Sequence, residues 1–211
     1  MTTNGLVAIN ATANSAKDTI DLTLPYRVEV EITGAATILF HRWQSEDIDE
    51  KNAAPKGSRA KKIDNLETYV YRCENGNLAI PGTYLIRSMT NPGNGAAKYR
   101  QDPRSPRKSA LDLYKAAVIP ITELADLGVK DWDFEHRERA VIQGNGITRV
   151  RPALHPGWKV TFVLMVTMPE YIAPSDLHDT INLAGRAVGL ADHRPTYGRF
   201  NVTRFEILSD T

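Results

Sequence analysis

One cysteine, Cys73, stands in 211 residues. It cannot close an internal disulfide or join a multi-cysteine zinc site, and a reducing, cytoplasmic setting is the expectation. No apolar run approaches the roughly 18 residues of a membrane-spanning helix. The opening residues, MTTNGLVAINATANSAKD, lack the basic start and long apolar centre of a secretory signal. They read as part of a loosely held leader over 1–25. The histidines, at 41, 136, 155, 178 and 193, never pair at i, i+3 or i+4, so no helical metal-ligand pair is written and no cofactor is expected. There is no G-x-S-x-G elbow, Walker loop or dinucleotide fingerprint. Net charge is only +1, which excludes a uniform polycation.

What is present is enough apolar material for a core, 42% of residues against 24% charged, and a charge distribution that is uneven. Glu46, Asp47, Asp49 and Glu50 form an acidic cluster, followed at once by Lys51, Lys56, Arg59, Lys61 and Lys62. From Arg87 to Lys115 there are seven Lys or Arg against two Asp. Local basic blocks on a near-neutral chain make a basic surface if folding gathers them.

Element signals alternate along the chain. YRVEVEIT, from Tyr26, places Val28, Val30 and Ile32 on one face and Arg27, Glu29 and Glu31 on the other, a half-buried strand. AATILFHRW extends it past a bulge at Gly34. Residues 44–62 are nearly devoid of apolar side chains and read as a long loop. TYVYRCENGNLAIP is a hairpin around Asn75-Gly76. Pro81-Gly82 ends its second strand, and a short helix follows with Leu85, Ser88 and Met89 inward. Ser105-Pro106 reads as the start of a further helix, with Ala110, Leu113, Tyr114 and Ala117 at helical spacing. Arg139–Pro152 is a hairpin around Gly144-Asn145-Gly146. KVTFVLMVTM is the central strand. Ser175 caps a helix whose inner face carries Leu177, Ile181, Ala184 and Val188. A turn-rich loop, Gly189 to Gly198, leads to a last strand over Arg199–Leu208. Stripped of insertions at about 44–64 and 96–140, residues 26–211 form one α+β domain in the order βαββαβ, a ferredoxin-like core of the kind RNA-recognition folds use.

Three of these segments carry a resemblance. Ile80, Pro81, Gly82, Thr83, Ile86 and Arg87 resemble the strand-to-helix element of the RAMP superfamily, the repeat-associated backbone proteins of multi-subunit CRISPR effectors. Tyr84-Leu85 departs from it, standing where the family has a small residue. LHPGWKVTFVLMV is similar to its turn-and-central-strand segment. AGRAVGLADHRPTYGRFNV looks like its glycine-rich loop, with Gly185, Gly189, Gly198, Arg194 and Arg199 at the matching positions. Ala191-Asp192-His193 departs from that loop's glycine-rich run. The resemblance implies an RNA-binding subunit of a ribonucleoprotein that oligomerises head-to-tail into a filament, around a guide RNA and beside other effector subunits. It also implies a thumb-like loop over 44–62 and a finger-like insertion over 96–140. A relative carried by a phage or other mobile element, rather than a host antiviral effector, is included in that expectation.

Single-stranded nucleic acid needs cations along its backbone and flat groups under its bases. The sequence joins the two around Arg42 and Trp43; around Lys98, Tyr99, Arg100, Arg104, Arg107 and Lys108; and around His193, Arg194, Tyr197, Arg199 and Phe200. With Lys56, Arg59, Lys61, Lys62 and Arg87, these cations and the two tyrosines are the candidate contacts, expected to form one groove for RNA or single-stranded DNA. Two alternatives stand beside this non-catalytic reading. Asp47 and Asp49 could hold Mg²⁺ in a metal-dependent ribonuclease, or the chain could be a viral structural or decoy protein of the same fold.

Overall fold

The computed structural model of the chain describes residues 24–42, 65–142 and 145–208. In chain order the first elements are β1 (Tyr26–Gly34), β2 (Ile38–Leu39), β3 (Tyr71–Arg72), β4 (Leu78–Pro81) and α1 (Gly82–Thr90). They are followed by β5 (Gln101–Asp102), β6 (Ser105–Ser109), α2 (Leu111–Ala117), β7 (Val118–Pro120) and β8 (Leu124–Asp126). The last are β9 (Phe134–Ile142), β10 (Asn145–Leu154), β11 (Lys159–Val166), α3 (Pro174–Ala187) and β12 (Phe200–Leu208).

The alternation of β1 does what its period of two requires: Tyr26, Val28, Val30 and Ile32 are buried while Arg27, Glu29 and Glu31 keep partial exposure. Val28 lies opposite Leu164 and Val30 opposite Phe162 on β11, so one face of the pair is continuous hydrocarbon. Each such side chain contributes roughly 1.5–3 kcal/mol on burial. β12 closes the other side of β1, and β7 the far side of β11, giving an antiparallel sheet ordered β12-β1-β11-β7. With α1 before β7 and α3 before β12, this is the fourth-first-third-second order of a ferredoxin-like fold. The helices pack on the buried face through Leu85 and Met89, Leu113 and Ala117, and Leu177, Ile181 and Ala184, all in one core cluster with the sheet. No helix among the described residues is long and apolar enough to cross a membrane.

Several local expectations change. AATILFHRW does not prolong β1. The Trp158 indole occupies the space beside Gly34, only 2.1 Å from where a side chain there would begin, and the amides of Ala35 and Ala36 turn to the Arg199 carbonyl. Ile38 and Leu39 therefore leave for a second sheet, β2-β10-β9. Ser105-Pro106 starts no helix. Asp102 accepts the Arg104 amide in a tight turn, Gln101 donates to the Pro106 carbonyl, and the segment becomes β6. The helix begins at Leu111, and the four residues expected to face inward, Ala110, Leu113, Tyr114 and Ala117, are all buried. Ser175 lies inside α3; Ala173 is at the cap and Pro174 takes the first turn, where its missing N–H costs nothing. Asn145 pairs with Ile142 and Gly146 with Val141, so two of the three residues expected in that turn belong to the strand. β7, inside the 96–140 stretch, belongs to the main sheet. The 1–25 leader, except Leu24 and Pro25, lies outside the described residues, as does the 44–62 loop.

Candidate nucleic-acid interface

The loop between α3 and β12 is built by its backbone. Gly189, Ala191, His193 and Gly198 have positive φ, from 52° to 79°. The Leu190 amide donates to Gly198, the Gly198 amide to Thr37 and the Asp192 amide to Leu39. These bonds tie the loop to β2. The Asp192 carboxylate then collects its neighbours. It accepts from Arg151 Nε at 3.0 Å and from the His193 amide at 3.0 Å, and lies 3.8 Å from His41 Nδ1. The Arg151 guanidinium is almost fully buried and stacks over the Tyr69 ring at 4.6 Å. Burial alone would push the Asp192 carboxyl up. The Arg151 hydrogen bond, His41 and the His193 amide outweigh it and hold the group below its ordinary range.

With the loop pinned, Arg194 faces α1. There Tyr84, Arg87, Ala191 and Arg194 line a depression of about 140 Å³. Tyr84 and Arg87 are three apart on the helix and so share a face. Burial lowers the Arg194 pKa and the like charge of Arg87 lowers it further, against the opposing effects of Tyr84 and Asp192. Among the described residues neither guanidinium lies within 4.0 Å of a carboxylate. Two arginines thus share a partly desolvated recess into which, among the described residues, no carboxylate pairs with them directly, Asp192 acting on Arg194 only from a distance. Chemically that is a seat for an external anion such as a phosphate.

Aromatic rings extend the recess. Tyr84 meets Tyr71 edge-on at 6.1 Å, and the Arg42 guanidinium sits over Tyr71 at 4.9 Å. Beyond the loop, Tyr197 packs on His136 at 5.0 Å and contacts its Nε2 at 3.3 Å, while His193 Nδ1 lies 3.0 Å from Glu138. Arg199 is exposed and donates to the Pro195 carbonyl.

The structure therefore brings Arg42, Arg87, His193, Arg194, Tyr197 and Arg199 to the surroundings of one loop. The other described candidates lie elsewhere. Lys98 donates to the Gly93 carbonyl, Tyr99 is 66% exposed, and Arg100 pairs with Asp179 at 3.3 Å. Arg104 is held by both carboxylate oxygens of buried Asp102 and lies over Tyr171. Arg107 and Lys108 are exposed on β6. Arg104 and Tyr171 sit beyond the N-terminal end of α3, whereas the loop follows its C-terminal end, and fourteen helical residues span about 21 Å. Arg104 is thus set apart from the loop, while Tyr99 and Arg100 lie between, along the flank of α3 with Asp179, Asn182 and Arg186. Trp43, Lys56, Arg59, Lys61, Lys62, Asp47 and Asp49 lie outside the described residues. Phe200 is a core side chain, 1% exposed.

Residues the sequence reading passed over complete the site. Tyr84 had a signal, its i,i+3 spacing to Arg87. His41 just after β2, Tyr69 in the turn before β3, Tyr71 of β3, His136 of β9 and Arg151 of β10 had none, because they come from separate sheets and meet only in the folded chain.

No family model matches the chain, and no curated protein matches it. Among solved structures it is similar to a chain in "Cryo-EM structure of the Type III-B Cmr-beta bound to cognate target RNA", with 13% identity and a TM-score of 0.47. The similarity covers 88% of this chain and 61% of that one, so the protein spans less than two thirds of the length of the chain it matches.

Proposed function

We propose that this protein binds single-stranded nucleic acid, RNA first among them, along the surface centred on Arg87 and Arg194, as a non-catalytic subunit. The observation that carries the reading is the pair of guanidiniums sharing a recess whose described lining holds no carboxylate, beside Tyr84 and Tyr71. A strand supplies what is missing: a phosphate between the arginines and bases for the neighbouring rings, each stacked base contributing about 1–3 kcal/mol. Recognition of this kind is indifferent to base identity, so specificity would come from pairing with a second strand. The resemblance of the Ile80–Arg87 element and the glycine loop to RAMP proteins adds the further reading that copies repeat head-to-tail along the strand. Contacts of that kind do not close on themselves and so propagate.

The test is fluorescence anisotropy of a labelled single-stranded RNA in rising salt. Each phosphate contact contributes about −0.7 to the slope of log affinity against log salt. Arg87→Ala and Arg194→Ala should each flatten the slope by about that amount. A slope and affinity left as in the parent protein would overturn the assignment.

A further inference from the structure

A second recess, more enclosed than the broad one along the flank of α3, lies at the other end of that helix. It has a volume of about 280 Å³, near the low end of the roughly 300–1,000 Å³ of small-molecule sites. Its walls are flat or apolar: the Tyr171 ring, Pro103, Leu113 and the ring of Tyr114. Tyr114 is rigid, because its hydroxyl contacts Thr180 at 2.8 Å and donates to the Asp176 carbonyl at 3.1 Å. Tyr171 is 40% exposed although it borders a cavity, and the Arg104 guanidinium lies 5.8 Å from its ring centre. Arg100, Gln101 and Asp176 complete the lining, the Arg100 guanidinium also pairing with Asp179 at its edge. Asp102 uses two of the five N–H donors of Arg104, which leaves three for another acceptor.

That combination is selective. An aliphatic ligand would use the walls but not the arginines. A bare phosphate would use the arginines but leave the aromatic wall exposed. A planar heterocycle carrying N–H donors, attached to a phosphate, uses all of it: the ring against Tyr171, its edge toward Asp176 and Gln101, the phosphate at Arg100 and Arg104. We propose that this recess is a nucleoside monophosphate site, separate from the loop surface. The same chemistry arises from a free nucleotide or from the phosphorylated end of a strand.

The experiment titrates the intact protein with AMP and CMP by calorimetry, with ribose 5-phosphate as the control lacking a base. AMP should bind and ribose 5-phosphate should not. Tyr171→Ala and Arg100→Ala should each weaken AMP at least tenfold, and Asp176→Asn several-fold. Thermal melts of each variant establish that the fold is kept. Tyr171→Ala should leave the salt slope of strand binding unchanged, so failure here and failure of the loop assignment are read separately. A 5′-phosphorylated oligonucleotide that displaces AMP identifies the strand end as the source, and one that does not identifies the free nucleotide; either agrees with the proposal. Absence of AMP binding at millimolar concentration overturns it and leaves the recess as a socket for a protein side chain. Binding that Tyr171→Ala and Arg100→Ala leave untouched overturns it equally.

Discussion

Asp192 illustrates how much of this surface rests on single residues. Its carboxylate is the partner of a buried guanidinium, that of Arg151, and accepts an amide of its own loop. Removing it leaves a charge inside the protein without a counter-charge, a change that typically costs about 3 kcal/mol. Asp192→Ala should therefore lower the melting temperature markedly and weaken strand binding as well, since Arg194 loses its placement. A melting temperature within a degree of the parent protein would show that Arg151 is satisfied by Tyr69 and the Val150 carbonyl alone. Asp192 lies only two residues from Arg194 in the chain. The structure gives it instead to Arg151, 41 residues away, because the loop turns over β10 and directs Arg194 to the helix. Gly82 makes a second case at this scale. The passage from Pro81-Gly82 straight into a helix is marked in the sequence, and its cause is a close approach. A side chain on residue 82 would begin 2.0 Å from the Thr122 carbonyl oxygen. Gly82→Ala should destabilise by about 2–3 kcal/mol, within the range of overpacked cores, measurable by urea denaturation.

Elements respond to pH through the same neighbours. Burial holds the His41 pKa below its ordinary value, with Arg151 the next cause and Arg149 and His193 adding to it, while Asp192 opposes. Asp192 is likewise held low. For both groups the native value lies below the unfolded one, so their contribution is complete above the unfolded value and is lost as pH falls. His41 acts first, as pH drops below about 6.5, and Asp192 later, below about 3.8. The attachment of the loop to β2 and β10 should weaken on acidification. Thermal melts at pH 7.5 and 5.0 check this: His41→Gln should show a smaller fall in melting temperature than the parent protein. An identical fall would remove His41 from the account. The glycine loop also shows what sequence makes visible. Gly198, with φ +72° and the Leu190 carbonyl 1.9 Å from any added side chain, is legible as a turn glycine. Strands with a period of two and helices with inward apolar positions were legible too. The β5–β6 hairpin was not, because Ser105-Pro106 suits a helix start and a strand edge alike, and Asp102, Arg104 and Gln101 decide between them only through contacts across the turn. Nor was β2, whose departure from β1 depends on an indole more than 120 residues away.

At the scale of the whole molecule, the sheet has two very different faces. One is covered by the helices. On the other lie Arg27, Glu29, Glu31 and Thr33 of β1 with Thr161, Val163 and Met165 of β11. Arg204 reaches Glu29 and Glu206 across that face. RNA-recognition folds stack bases on sheet aromatics, and these described strands place no aromatic ring there: Tyr26 and Phe205 fall on the helix side. Three carboxylates beside two arginines also make the open face a poor bed for phosphates. The fold class was legible from element order, but which surface is equipped was not, since that depends on the convergence of β3, α1, β10 and the glycine loop. A bound strand is expected to run over that convergence and not over the open sheet. Photo-crosslinking of RNA containing 4-thiouridine, followed by mass-spectrometric mapping, tests it most directly. Crosslinks concentrated in residues 69–90 and 189–199 are the predicted result; crosslinks concentrated in residues 27–33 and 161–165 would contradict it.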